Sequence, residues 1–169
     1  NQNDKQKILK AGKIASQIRE YVKKIVKKDV LLLELAEKIE AEIEKLGSKP
    51  AFPVNLSIND IAAHYTPSHD DKTLAHGLLK VDFGINIEGF IADTALSFDL
   101  ENNEENKKLI EAAEKSLENA IEKIKGKDVT TSDIGKIINE TIASKGFIPI
   151  INLSGHSIEK YDLHSGITI

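Results

Sequence analysis

The run from Val81 to Ala95 constrains this chain more than any other part of it, because it predicts a β-hairpin with one carboxylate on each strand. Apolar residues alternate up to Glu88-Gly89 and resume after it, the pattern of two strands joined by a two-residue turn. With Glu88 and Gly89 as the turn, Ile87 pairs with Phe90, Gly84 with Asp93, and Asp82 with Ala95. Side chains alternate between the faces of a strand, so Asp82 and Asp93 share one face and stand diagonally across the ribbon. Diagonal Cβ atoms lie about 7–8 Å apart or somewhat less, close enough for two carboxylates to converge on one cation or on a pair. Gly84, opposite Asp93, leaves room at that point. Two like charges on one face are unfavourable unless something positive lies between them. The plainer alternative is a pair of solvated aspartates, and a turn one residue longer or shorter would put them on opposite faces.

The rest of the chain frames that hairpin. Helical periodicity runs from about Lys5 to Lys28, with Ile8, Ile14, Ile18, Tyr21, Val22 and Ile25 on one stripe. A second helix is expected from about Leu31 to Leu46, buried through Leu32, Leu35, Ala36, Ile39 and Ile43 and stopped by Gly47. Pro50 and Pro53 then give an extended segment from Phe52 to Ile58. After the hairpin, a helix over about Glu104 to Lys125 should turn Leu109, Ala113, Leu117, Ala120, Ile121 and Ile124 inward. A fourth, capped by Thr131 or Ser132 and closed by Gly146, should bury Ile134, Ile137, Ile138 and Ile142. Phe147 to Leu153 looks like a buried strand. The pattern is α+β, an antiparallel sheet covered by helices, and with no clear linker residues 1–169 read as a single domain.

Composition narrows the chemistry. The 169 residues carry a net charge of −4, which gives no general attraction to nucleic acid or to an anionic membrane. There is no cysteine, so a metal site must use His, Asp and Glu. No apolar run approaches the roughly 20 residues that span a bilayer. Asn-Gln-Asn-Asp-Lys at the start lacks the apolar centre of a signal peptide, and a cytoplasmic location is the default expectation. The chain holds no methionine, and Gly166 to Ile169 looks like a strand beginning, so a fragment is expected.

Three of the five histidines stand where they could act. His156 follows Gly155 after the expected strand, His164 lies eight residues on, and His64 sits in a loop after Ala62-Ala63. Imidazole is both a frequent ligand for first-row metals and a proton carrier near neutral pH. Each of them alone would more simply be a partly buried histidine bonded to backbone. His69 and His76 flank a turn and read as surface residues.

Taken in order, Lys49 to Asn59, Ala62-Ala63-His64-Tyr65-Thr66-Pro67, the Asp82–Asp93 hairpin, Asn152 to Ile158, and Leu163-His164-Ser165-Gly166 resemble the type 2 methionine aminopeptidases, the archaeal ones most closely. The ordered set covers nearly the whole chain, and order makes it specific where any one motif would be weak. The resemblance implies a pita-bread fold, two α/β halves around a curved antiparallel sheet with a dinuclear metal site. It maps metal ligands onto Asp82, Asp93 and His156. The family's further ligands are glutamates on later strands, which this chain does not reach, so residues 1–169 would be the N-terminal part of a longer catalytic domain. Lys28-Asp29 stands where the family often has Pro-Gly, Ser165 where it often has Ala, and the loop from Thr73 to Leu79 looks about one residue short of archaeal relatives.

The implied activity is removal of N-terminal methionine from nascent proteins. Two divalent ions, of cobalt, manganese, iron or zinc, would activate a water between them. His164 would donate to the carbonyl oxygen, and His64 would contact the neighbouring amide and assist the leaving nitrogen. Phe52 and Leu163 would wall the pocket for the methionine side chain. The implied partner is a peptide or nascent-chain N-terminus, with transient ribosome contact, and with neither membrane nor specific nucleic acid. The alternatives are a proline-specific aminopeptidase of the same fold, or a non-catalytic relative that binds a partner. A chain with three ligands is expected to bind metal weakly and to have little activity alone.

Overall fold

In the computed structural model, which describes all 169 residues, the chain forms helices α1 (Gln2–Ile25) and α2 (Leu32–Lys45) and strands β1 (Lys49–Pro50), β2 (Asn55–Ile58), β3 (Leu78–Ile87) and β4 (Phe90–Asp99). Helices α3 (Glu104–Ile124) and α4 (Thr131–Ser144) follow. Contacts divide the residues into two units, Asn1–Glu101 with Ile158–Leu163, and Asn102–Ser157 with His164–Ile169.

In the first unit, α1 opens with a capping box in which the Asn1 side chain accepts from the Asp4 N–H and Asp4 reaches back to the Asn1 backbone. Its buried stripe is Ala11, Ile14, Ala15, Ile18 and Val22. Ile8 shares the periodicity but sits one turn earlier and is 52% exposed, against expectation. Helix α2 buries the five residues expected of it and ends before Gly47, whose φ of +76° suits glycine.

The sheet is antiparallel. Strand β3 is central, paired with β4 on one side and with β1 and then β2 on the other. Leu79, Val81, Phe83, Ile85 and Ile87 of β3 enter one core with Ile18, Val22, Leu35 and Ile39 of the two helices. Each such side chain stabilises by roughly 1.5–3 kcal/mol when fully buried. A register slip of one residue would turn that whole set outward, which fixes the register and sends the even-numbered residues of β3 to the other face.

In the second unit, α3 is capped by Asn103 and α4 by Thr130, one residue before the expected cap. The expectation for α3 is corrected here. Leu109, Ala113, Leu117, Ile121 and Ile124 are exposed, and the buried residues are Ala112, Ser116 and Ala120. Small side chains let two helix backbones approach, and Asn119 donates to the Thr141 hydroxyl of α4 at 3.0 Å. On α4 the four isoleucines are half-buried, and Thr141 is the buried residue. Phe147 to Leu153 forms no strand, and Ile148 and Ile151 are 88% and 93% exposed. An apolar run becomes a strand only when a neighbour takes its N–H and C=O groups, and none does so here.

Candidate metal centre

The carboxylate pair lies where the hairpin pattern puts it. Glu88 and Gly89 form the turn with φ of +53° and +91°, the left-handed pair that a two-residue hairpin loop requires. Ile87 pairs with Phe90, Gly84 with Asp93, and Asp82 with Ala95. Asp82 and Asp93 therefore share the face opposite the core, Asp82 half-buried and Asp93 exposed.

Strand β2 supports this face. Asn55 is directly opposite Asp82, and its amide donates to the Asp82 carboxylate at 3.4 Å. The Asn55 carbonyl accepts from the Thr66 hydroxyl at 2.7 Å. The chain Thr66–Asn55–Asp82 holds the amide with its N–H₂ toward the carboxylate and so orients one oxygen of the pair. Sequence reasoning assigned neither Asn55 nor Thr66 a role. The available signal was the strand alternation, which puts Asn55 on the face opposite to buried Leu56.

Gly84 makes room, but for a side chain of this chain. A Cβ built there would stand 2.5 Å from Phe52 Cε1 and 2.8 Å from the Ala51 methyl, so the Phe52 ring lies over the glycine beside the carboxylate pair. Phe52 and Leu163 are both half-buried. His64 is exposed at the tip of the loop after β2, with φ of +66°. The residue after it is fixed: the Tyr65 N–H donates to the Ser57 hydroxyl at 3.3 Å and its carbonyl accepts from the Leu56 N–H at 2.7 Å. Its phenol donates to Asp71, which with the bonds from Thr73 holds that carboxyl below its ordinary range, Thr73 contributing most. On the same face as Asp82, Lys80 gives its ammonium to the Asn59 carbonyl at 2.6 Å, and burial pushes its pKa down.

His156 and His164 come together in the second unit. Their ring centroids are 4.3 Å apart at an interplanar angle of 54°. The backbone beside them is paired, the Ser165 N–H donating to the Ser157 carbonyl at 3.1 Å, and the two serine hydroxyls are 2.7 Å apart. His69 and His76 are exposed, as expected.

Two carboxylates on one face, one held by an amide, are hard oxygen donors that suit a divalent cation. The structure gathers no three His, Asp or Glu side chains into one cluster. The pair thus fits as part of a metal site, and it is the part that the hairpin itself builds.

Known families, proteins and solved structures include clear relatives of this chain. Residues 6–169 match the model of metallopeptidase family M24. The chain is 51% identical over 168 residues to a methionine aminopeptidase of Pyrococcus abyssi, covering 98% of this chain and 56% of that protein. It is 49% identical to one of Methanothermus fervidus, covering 97% of this chain and 94% of that one. The crystal structure of methionine aminopeptidase from Thermotoga maritima superposes with a TM-score of 0.90 at 26% identity, covering 100% of this chain and 71% of that one. The chain spans about half the length of most curated relatives it matches. It has the α+β pita-bread fold of these proteins, with an antiparallel sheet and helices, over that length.

Proposed function

This chain belongs to metallopeptidase family M24, and from that membership we propose that it serves to remove the N-terminal methionine of newly made proteins by hydrolysis, as the N-terminal part of a catalytic domain. The observation that carries the reading is the placement of Asp82 and Asp93 on one face of a hairpin whose other face is locked into the core. In this reading Asp82, Asp93 and His156 hold divalent cations, two of them as the type 2 enzymes imply. Oxygen and imidazole donors without sulfur suit manganese, iron, cobalt or zinc. Once bound, the cations supply an activated water and a Lewis acid for the scissile carbonyl.

The chain's own residues do the rest. Asn55, held by Thr66, keeps the Asp82 carboxylate turned to the site. His164 donates an N–H to the carbonyl oxygen as negative charge develops there. His64 bonds to the amide beside the scissile bond and passes a proton to the leaving nitrogen. Phe52, with its ring over Gly84, and Leu163 wall the methionine side chain and exclude water from it. The substrate is a peptide with a free N-terminal methionine, met in the cytoplasm as nascent chains leave the ribosome, with transient contact there. No helix is long and apolar enough to cross a membrane.

Calorimetry with manganese or cobalt tests the reading. Three ligands are fewer than a closed two-metal site uses, so this chain should bind weakly, and Asp93→Ala should abolish the binding. A full-length relative, measured beside it, should bind more tightly and cleave peptides that begin Met-Ala, losing activity to a chelator and sparing peptides that begin Pro-Pro. Binding by this chain that ignores Asp93→Ala, or preference for the Pro-Pro start, would overturn it.

A further inference from the structure

Within the first unit a cavity of about 340 Å³ opens between the start of α2, the end of β2 and the loop that leads into β3. That volume is at the small end of the range for small-molecule sites. Leu32 and Leu56, both fully buried, and Ile58 form its apolar interior, and Ile61, 45% exposed, extends the apolar surface to the mouth. Leu56 and Ile58 alternate with Asn55 along β2, so they lie on the face of the sheet opposite Asp82. The cavity is therefore no part of the carboxylate site. Both of its rims are fixed. On one side the Ile61 N–H donates to the Ile58 carbonyl at 3.1 Å, and the Leu78 N–H donates to the Asn59 side-chain oxygen at 2.9 Å. On the other the Leu32 N–H donates to the Thr73 carbonyl at 2.9 Å, and the Ala75 N–H to the Val30 carbonyl at 2.8 Å. A cavity held from both sides takes a ligand without first ordering a loop.

The polar groups at the cavity decide what that ligand is. The Tyr65 and Thr73 hydroxyls both bond to Asp71 and are spent there. The Asn59 side chain packs over Gly77, with its oxygen taken by the Leu78 N–H. Lys80 feels the charge of Asp60 but gives its ammonium to the Asn59 carbonyl at 2.6 Å, so the exposed Asp60 carboxylate forms no ion pair. The His76 Nδ1 stands 2.8 Å from the Leu74 carbonyl, a group that only accepts. Nδ1 therefore carries the proton, and the neutral ring presents Nε2 as an acceptor. What remains is the Asp60 carboxylate and the His76 Nε2, two acceptors, one of them negative, beside an aliphatic interior. An apolar body with a cationic N–H donor at one end matches them. We propose that this cavity binds a primary alkyl or arylalkyl amine in its protonated form, with the hydrocarbon against Leu32, Leu56 and Ile58 and the ammonium taken by Asp60 and His76.

Phenethylamine is the probe, with phenethyl alcohol as its neutral counterpart and hydrocinnamate as its anionic one, each titrated into this chain and followed by amide and methyl signals in NMR spectra. Phenethylamine should shift the methyls of Leu32, Leu56 and Ile58 and the amides of Ile61 and Thr73 with a Kd of about 10 mM or below, the scale for so small a ligand. It should bind at least about threefold more tightly than the alcohol, the size of a partly exposed charge interaction. Hydrocinnamate should leave these signals in place. Asp60→Asn removes the charge and keeps the shape, so it should bring amine and alcohol to equal affinity. Amide signals along β2 and β3 that match the parent before any addition establish that the variant is folded. No shift at the cavity by about 50 mM amine would overturn the proposal. So would equal affinity of amine and alcohol for the parent chain, or a preference for the amine that survives in Asp60→Asn. Shifts confined to Asp82 and Asp93 would overturn it too, by assigning the amine to the carboxylate pair.

Discussion

At Gly84 a missing side chain matters more than a present one. The sequence suggested open space opposite Asp93, and the space is real, but the Phe52 ring fills it. Glycine is required there because any larger residue meets Phe52 Cε1 at 2.5 Å and the Ala51 methyl at 2.8 Å. Gly84→Ala should therefore cost about 1–3 kcal/mol, as overpacking usually does, measured by urea unfolding. Adding Phe52→Ala should recover part of that loss, so the double variant should lose less than the sum of the single ones. Strict additivity would mean that the ring and the glycine are not the coupled pair. Asn55 and Thr66 belong to the same scale and were illegible for a definite reason. A polar residue on a short strand looks the same whether it meets water or a carboxylate, and only the pairing of β2 with β3 tells which.

Among the elements, the hairpin was legible to the residue and α3 was not. In β3 the period of two, the Glu-Gly turn and the burial of alternate residues all point the same way, so one register satisfies them. In α3 the large apolar residues and the small ones form different stripes of one helix. Volume favoured Leu117 and Ile121 as the packing face, whereas the residues that α3 buries are Ala112, Ser116 and Ala120, where close approach is possible. The expected strand over 147–153 failed in the same way, since its apolar character does not reveal whether a partner strand exists within this chain. The helix pair gives a direct contrast. Ala120→Leu adds volume at a position only 4% exposed and should cost about 1–3 kcal/mol, while Ile121→Lys one residue on should change stability by no more than about 0.5 kcal/mol. Urea midpoints of the two variants check this, and a larger loss for Ile121→Lys would restore the stripe read from the sequence.

For the molecule as a whole, the charges make a further set of expectations that the fold alone does not. Several carboxylates are held below their ordinary values: Glu88 by its bond with Lys7, Glu101 by Lys28, Glu111 by Lys145, and Asp133 by Thr130 in the cap of α4. Sequence separations of 81, 73 and 34 residues put the first three pairs beyond any local pattern, so they were invisible before the fold was known. A depressed carboxylate binds fewer protons folded than unfolded, so its contribution is complete above the ordinary values of 4.5 for Glu and 3.8 for Asp and is lost as pH falls through the folded value. Lys7 and Lys28 are raised by the same partners, so their contributions are complete below 10.5 and are lost only as pH climbs past the folded values. The urea midpoint should then be level from about pH 5 to pH 9 and fall on the acid side below about pH 4.5. The pairs are exposed, so the fall should be gradual, and about 0.5 M salt should weaken their share throughout the plateau. Urea midpoints measured at several pH values, with and without salt, decide it. A midpoint that holds unchanged to pH 3 would show that these pairs contribute nothing to the folded state. A midpoint that rises on acidification would show that these pairs are not the dominant effect of protons on this molecule.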